Sequence, residues 1–140
     1  MKIICIGRNY ADHISELNNE RPTEPVIFMK PDSSILPNKN PFVIPAFSND
    51  IHHEVEILVK ICRVGKHIDA KFAHKYYEEI GLGIDFTARD LQSKLKEKGL
   101  PWEKAKAFDH SAVIGSIKTK KNYSSLENIN FELKSNGTTV

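Results

Sequence analysis

The chain has few of the features that mark a specialised class of protein. Of its 140 residues only two are cysteine and one is tryptophan, and 20 basic residues stand against 18 acidic ones, giving a net charge of +2. This balance argues against nucleic acid as a partner, because nucleic-acid-binding proteins present a strongly basic face. No apolar run approaches the ~20 residues of a membrane span, and the apolar residues 3–6 are too few for a signal peptide. We therefore expect a cytoplasmic protein that binds neither nucleic acid nor membranes.

The two cysteines give no sign of a disulfide framework or a CxxC site. Cys5 and Cys62 each lie in an apolar, strand-like run, and such cysteines are typically buried thiols in a reducing compartment. The chain contains no internal repeat and no low-complexity tract. Its length fits one domain with a single core.

Hydrophobic patterning predicts a mixed α/β fold that is mainly β. Strands are expected over residues 2–6, 26–29, 51–61 and 80–86. Helices are expected over residues 7–17, from Asp69 onwards with Phe72, Ala73, Tyr76 and Tyr77 buried, and from Thr87 to Gly99. Because strands and helices do not alternate regularly, a doubly wound parallel sheet is not expected.

The strand over residues 51–61 carries the most informative pair of side chains. One of its faces is nearly all apolar, and the other presents Glu54 and Glu56. Side chains two residues apart on a strand point the same way, here about 7 Å apart along the backbone. Two such anions repel unless a cation lies between them, and oxygen ligands suit Mg²⁺, Mn²⁺ or Ca²⁺. The alternative is a solvated strand face that happens to hold two glutamates.

A second signal follows about thirty residues later, where Asp85 ends a short apolar strand. Thr87 and Asp90 resemble a capping box at the start of the next helix. Arg89 and Gln92 would project from one face of its first turn, where the helix dipole favours an anion. The alternative is that both side chains are simply solvated.

These motifs together resemble a known family, and five blocks in order carry the likeness. They are residues 7–13 (Gly-Arg-Asn-Tyr-Ala-Asp-His), 52–56 (His-His-Glu-Val-Glu), 85–92 (Asp-Phe-Thr-Ala-Arg-Asp-Leu-Gln), 99–102 (Gly-Leu-Pro-Trp) and 105–109 (Ala-Lys-Ala-Phe-Asp). The combination resembles the fumarylacetoacetate hydrolase family, and within it the small acylpyruvate hydrolase and oxaloacetate decarboxylase type. The resemblance implies a β-roll of packed mixed sheets with short peripheral helices, and a homodimer.

The resemblance also implies residue roles. The positions of Glu54, Glu56 and Asp85 hold a divalent metal, usually Mg²⁺, with Mn²⁺ or Ca²⁺ as alternatives. Those of Arg89, Gln92 and Lys106 hold substrate oxygens, and Lys106 also suits a developing oxyanion.

His13 and Glu16 would activate the catalytic water, within a lid helix and loop over residues 1–25. From spacing alone, an ordinary surface pair on a helix is the favoured interpretation of His13 and Glu16, and only the resemblance reverses it. Lys30, at the end of a strand, is a further side chain that could reach the site.

The sequence also predicts that the domain continues beyond residue 140. Asn136-Gly137 is a strong hairpin signal, yet only three residues follow it, and family members carry a further Thr-Gly-Thr-Pro segment that nothing here matches. We therefore interpret residues 1–140 as the N-terminal portion of a single catalytic domain.

Several functions remain open at this point. The first is metal-dependent hydrolysis of C–C bonds in acylpyruvate-like 2-oxo or 1,3-dicarbonyl acids through a metal-stabilised enolate. An oxaloacetate decarboxylase or a 2-hydroxyhepta-2,4-diene-1,7-dioate isomerase could use the same site. A non-catalytic ligand-binding relative would keep the metal carboxylates and lose the pair that activates water.

Overall fold

The computed structural model describes residues 1–10, 22–127 and 129–139. They form two compact units, the first made of residues 1–54 and 85–113, the second of residues 55–84 and 114–140. The strands, in chain order, are β1 Ile3–Gly7, β2 Val26–Lys30, β3 Ile51–Ile61, β4 Tyr77–Ala88, β5 Ala112–Thr119, β6 Lys134–Ser135 and β7 Thr138–Thr139. The α-helices are α1 Arg89–Glu97 and α2 Glu103–Lys106, and short 3₁₀ helices cover Asp32–Ser34, Ala70–Lys75 and Lys120–Asn122. The chain is therefore mainly β with short helices, as expected.

In the first unit, β1 and β2 form an antiparallel pair in which Cys5 lies opposite Phe28. Side chains alternate along β2, so Phe28 and Lys30 are buried while Ile27 and Met29 are exposed. Lys30 therefore shares the inward face of an apolar strand. The chain then forms a parallel bridge between Ile35 and Ala112.

The strand order of the larger sheet is β3-β4-β5, and the chain passes from one unit to the other within each of these strands. In the second unit β4 and β5 approach closely. A Cβ on Gly115 would lie 2.4 Å from the carbonyl oxygen of Leu82, and one on Gly81 would lie 2.7 Å from that of Ser116. Both positions therefore require glycine.

The terminal hairpin forms where the sequence predicted it. Lys134 pairs with Thr139 and Ser135 with Thr138, and the turn residues Asn136 and Gly137 both have positive φ, 52° and 85°. Two positive φ angles are what the right-handed twist of a tight hairpin demands.

Helix α1 ends as predicted but starts one residue later, because its N-cap is Ala88 and not Thr87. Gly99 has φ +62° and its N–H donates to the carbonyl of Lys96, while that of Leu100 donates to Leu95, which closes the last turn. At the other end Thr87 lies within β4 and is fully buried. It is therefore not the N-cap that the capping-box pattern indicated.

Three other expectations differ from the structure. Gly7 ends β1, so the helix expected over residues 7–17 does not begin there, and its residues 11–17 lie outside the described residues. The segment after Asp69 is one short 3₁₀ helix without a buried residue, and Tyr77 already belongs to β4. Cys62, just after the end of β3, is exposed like the last residues of that strand, and Cys5 is half-buried. Within the described residues, no helix is both long and apolar enough to cross a membrane.

Candidate metal and substrate site

Among the described residues of the first unit, more of the buried side chains are polar than apolar. The buried apolar residues are Phe28, Ala88, Ala105 and Ala112, and the buried polar ones are Lys30, Ser34, Ser48, Asp85, Thr87, Gln92, Lys106 and Ser111. Buried polar groups are retained only where each finds a partner, because an unpaired one costs several kcal/mol. This interior is therefore a network of ion pairs and hydrogen bonds.

Lys106 lies at the centre of that network. Its Nζ is 2.7 Å from Glu54 Oε2 and 2.8 Å from Asp85 Oδ2, and it donates to Thr87 Oγ1 at 2.6 Å. Lys106 is the last residue of α2 and only 3% exposed. One positive charge thus joins the predicted ligands from β3 and β4.

Arg89 and Gln92 meet on the first turn of α1, as their spacing predicted. Arg89 Nη1 donates to Gln92 Oε1 at 2.6 Å, and Nη2 forms a close ion pair with Glu54 Oε1. Asp90 fixes this turn: it accepts from Ser48 Oγ at 2.6 Å. The Arg89 N–H also donates to the Asp50 carbonyl at 2.8 Å. The donors expected to bind substrate are therefore held on an anchored helix start.

Lys30 does reach the site, from the opposite side of Asp85. Its Nζ lies 2.8 Å from Asp85 Oδ1, although that oxygen has no hydrogen bond of good geometry. The same Nζ contacts the backbone carbonyl of Lys106 and, at 2.9 Å, Ser111 Oγ. Each oxygen of Asp85 thus faces a different ammonium group.

The pKa values follow from burial and these partners. Burial alone would raise the pKa of Glu54, but the charge and hydrogen bond of Lys106, followed by those of Arg89, hold it below its usual value. Burial lowers the pKa of Lys30, and the charge of Asp85 opposes this only in part. The hydrogen bond from Ser48 lowers the pKa of Asp90. Glu54 is therefore ready to bind a cation at neutral pH.

These oxygens fit a divalent ion chemically. The carboxylates of Glu54 and Asp85 and the Thr87 hydroxyl surround one positively charged nitrogen at 2.6–2.8 Å, and hard oxygen donors are what Mg²⁺ and Mn²⁺ bind. Among residues 1–10, 22–127 and 129–139, no three acidic, His or Cys side chains lie close enough together to hold a metal. Glu56 is half-buried on β3, within the second unit. The metal role of Glu54, Glu56 and Asp85 remains a prediction.

The expected water-activating pair lies outside the residues described. His13 and Glu16 both fall within residues 11–21, as does part of the expected lid region. Their roles therefore stay predictions as well.

Two contributors were missed or undervalued in the sequence. Thr87 looked like a helix cap, whereas its hydroxyl accepts from Lys106. Ser111 follows Asp109 and His110, and three consecutive residues cannot converge as a catalytic triad. Ser111 nevertheless belongs to the buried network, because its hydroxyl donates to the Lys106 carbonyl at 2.9 Å. The inward position of Lys30 could have been predicted from the sequence. It lies two residues after Phe28 on β2, and side chains two residues apart on a strand point to the same face.

Comparison with known proteins gives the class to which this fold and site belong. Residues 2–140 match the family model described as "Fumarylacetoacetate (FAA) hydrolase C-terminal". The chain therefore belongs to the fumarylacetoacetate hydrolase family, as its motifs indicated.

Individual relatives narrow the likeness. The mitochondrial oxaloacetate tautomerase of Bos taurus is 38% identical over 135 residues, covering 96% of this chain and 61% of the relative. The mitochondrial oxaloacetate decarboxylase of Dictyostelium discoideum is 44% identical over 129 residues, covering 91% and 59%. The chain thus spans about three fifths of the length of these curated relatives.

A solved structure adds a ligand-bound comparison. The fumarylpyruvate hydrolase of Pseudomonas aeruginosa, in complex with Mn²⁺ and pyruvate, superimposes with a TM-score of 0.80 at 32% identity. The match covers 86% of this chain and 54% of that one. The fold is therefore the family's fold.

Proposed function

We propose that the protein containing this chain is a divalent-metal-dependent enzyme acting on acylpyruvate-like 2-oxo or 1,3-dicarbonyl acids, whose C–C bond it hydrolyses. The observation that carries the proposal is the set of three oxygens around Lys106 Nζ, with Glu54 at 2.7 Å, Asp85 at 2.8 Å and Thr87 at 2.6 Å. Such a set holds a cation, and the guanidinium of Arg89 lies beside it on Glu54. A cation bound by these oxygens, with the Arg89 donors beside it, suits a substrate that has adjacent carbonyl and carboxylate oxygens.

Glu54, Glu56 and Asp85 would hold the ion, Mg²⁺ first and Mn²⁺ or Ca²⁺ as alternatives. A bound ion of this kind supplies Lewis-acid stabilisation for the negative charge that develops on a substrate oxygen. The Mn²⁺ and pyruvate of the Pseudomonas aeruginosa relative support both the ion class and the 2-oxo acid.

The remaining side chains orient substrate and stabilise charge. Arg89 offers a planar pair of N–H donors to a substrate carboxylate, and Gln92 is held beside it by their 2.6 Å hydrogen bond,. Lys106 supplies a compact positive charge for a second carboxylate or an oxyanion. Both cations must release Glu54 when they turn to the substrate.

His13 and Glu16 would prepare the attacking water. A carboxylate beside an imidazole fixes its tautomer and raises its basicity, which makes histidine an effective general base. Hydrolysis needs this pair, whereas decarboxylation needs an electron sink but no attacking water.

A second candidate is enolate chemistry on oxaloacetate, by decarboxylation or tautomerisation. It is favoured by the activities for which the Bos taurus and Dictyostelium discoideum relatives are named. Isomerisation of 2-hydroxyhepta-2,4-diene-1,7-dioate would use the same groups.

The homodimer and the cytoplasmic location stay predictions, and both named relatives are mitochondrial.

The test is a substrate panel on the full-length protein with Mg²⁺, and again after its removal with EDTA. Acylpyruvates, oxaloacetate and hydroxydienedioates separate the candidates, and His13→Ala separates hydrolysis from decarboxylation. General-base loss should lower hydrolysis by about 10²–10⁴-fold and spare decarboxylation. Turnover that persists undiminished in EDTA would refute the metal-dependent proposal, and so would inactivity on every substrate.

A further inference from the structure

Lys30 is 1% exposed, which is less than Lys106 at 3%, Gln92 at 4% or Asp85 at 7%. Stability alone gives little reason to keep an ammonium there. Exchanging a buried ion pair for apolar side chains of similar volume is often neutral or stabilising. A lysine on the inward face of β2 therefore calls for an explanation through its contacts.

Those contacts are of three kinds. The first is with backbone: Nζ contacts the carbonyl of Lys106 and lies 3.1 Å from that of Ser111 and 3.4 Å from that of Phe86. The second is a hydrogen bond to Ser111 Oγ at 2.9 Å. The third is with Asp85, whose Oδ1 lies 2.8 Å away. One atom thus joins the backbone of one site residue to the side chain of another.

The position of Lys106 explains why this matters. Lys106 is the last residue of α2, so its carbonyl has no partner within the helix. Lys30 Nζ contacts that carbonyl and Ser111 Oγ donates to it at 2.9 Å. Meanwhile the Lys106 side chain reaches Asp85 Oδ2 at 2.8 Å. Lys30, Lys106 and Asp85 therefore close a ring of contacts, in which Lys30 holds both ends.

We propose that Lys30 is a positioning residue that fixes the Lys106 ammonium relative to the Asp85 carboxylate. By holding the end of α2 and one oxygen of Asp85, it leaves the other oxygen facing the cation position. Groups that orient ligand carboxylates from behind typically change activity by 10–100-fold when removed. The kinetic consequence rests on the proposed function, whereas the geometric consequence does not.

The experiment is a double-mutant cycle in the full-length protein, using Lys30→Met and Lys106→Met singly and together. Lys30→Met should lower kcat per folded molecule by about 10–100-fold. If Lys30 acts through Lys106, adding Lys30→Met to Lys106→Met should change kcat by less than about threefold, because residues that act as a unit are not additive. A full additional loss in that background would overturn the proposal, since a general structural defect remains additive.

Ser34→Ala is the matched control. Ser34 is fully buried and its hydroxyl donates to the carbonyl of Ala107 at 3.1 Å, in the segment next to Lys106, without touching Asp85. It should lower stability but keep kcat per folded molecule. If Ser34→Ala lost as much kcat as Lys30→Met, Lys30 would only stabilise this segment in general, and the proposal would be overturned.

A second measurement does not depend on activity. Acetylation of Lys106, followed by mass spectrometry, should be slow in the parent and faster in Lys30→Met, but not in Ser34→Ala. Unchanged protection of Lys106 in Lys30→Met would overturn the proposal, whether or not the protein turns over any substrate. A lack of turnover by itself would refute only the proposed function. Should Lys30→Met fail to fold, Ser111→Ala removes the other donor to the Lys106 carbonyl and should show the same non-additivity and exposure.

Discussion

Replacing Lys106 with methionine should destabilise the metal-free protein and make it respond more strongly to a divalent metal. Methionine keeps an unbranched side chain as far as Cε and removes the charged ammonium group. Glu54 Oε2 and Asp85 Oδ2 then lose the ammonium that lies 2.7 and 2.8 Å away. Both carboxylates are largely buried, so water can replace little of that interaction.

The size of the effect can be bounded from the neighbours that remain. Removing one partner of a buried ion pair typically costs 3–5 kcal/mol. Arg89 still faces Glu54 and Lys30 still faces Asp85, so neither carboxylate is left without a cation. We therefore expect the lower limit, about 3 kcal/mol of unfolding free energy, which is roughly a hundredfold in the folding equilibrium.

A metal should recover most of this loss. Ligand at about 100 times its Kd stabilises a folded protein by about 2.7 kcal/mol. In the parent the ion must displace the Lys106 ammonium from both carboxylates, whereas in Lys106→Met that ammonium is absent. The increase in unfolding free energy on adding Mn²⁺ should therefore be larger in the variant.

Urea unfolding of parent and variant, each with and without Mn²⁺, measures all four free energies. Lys104→Met removes an exposed lysine from the same helix and should change neither stability nor metal response. If Mn²⁺ stabilises parent and Lys106→Met equally, Lys106 and the metal do not share these carboxylates, and the reasoning is refuted.

Three further predictions follow from neighbouring contacts. Arg89→Lys keeps the charge but loses the planar fork, so oxalate should bind about 1.5–3 kcal/mol more weakly by calorimetry in the presence of Mn²⁺. Thr87→Val removes the hydroxyl 2.6 Å from Lys106 Nζ and should cost about 1–3 kcal/mol in urea unfolding, because a buried donor loses its acceptor. The pKa of Asp90 is lowered from 3.8, chiefly by Ser48, so Asp90→Asn should be less stable than the parent above pH 3.8. That difference should vanish as pH falls through the lower folded pKa, as urea midpoints at several pH values will test.

A specific result would contradict each of these three predictions. Parent-like oxalate affinity in Arg89→Lys would remove Arg89 from substrate binding. Thr138→Val, on the exposed terminal hairpin, is the control for Thr87→Val, and equal losses would show that the Lys106 contact is not responsible. A deficit in Asp90→Asn that persists unchanged at the lowest pH would mean that the charge of Asp90 is not its cause.

The sequence predicted correctly those features whose backbone geometry depends on residues close by in the chain. Asn136 and Gly137 form the predicted turn, and Gly99 ends α1 with the positive φ that a helix C-terminus favours,. Arg89 and Gln92 meet because the helical repeat alone brings residues three apart together,. These features need no knowledge of the rest of the fold.

Features that depend on distant parts of the chain were not predictable in the same way. Thr87 resembles an N-cap locally, but β4 continues through it to Ala88, since sheet pairing outweighs a capping preference. Lys30 and Lys106 are 76 residues apart, and no spacing rule relates them. The family resemblance supplied Lys106, whereas only the folded chain brings Lys30 to Asp85.

The most direct test of the account is a Mn²⁺ titration of the full-length protein, followed by electron paramagnetic resonance, in the parent and in Glu54→Gln, Glu56→Gln and Asp85→Asn. Glu78→Gln, exposed on β4, is the control. We predict one Mn²⁺ site in the parent and in Glu78→Gln, with binding weakened in each of the other three variants because each loses an anionic ligand. Parent-like affinity in Glu54→Gln and Asp85→Asn, or no bound Mn²⁺ in the parent, would contradict the proposed metal centre.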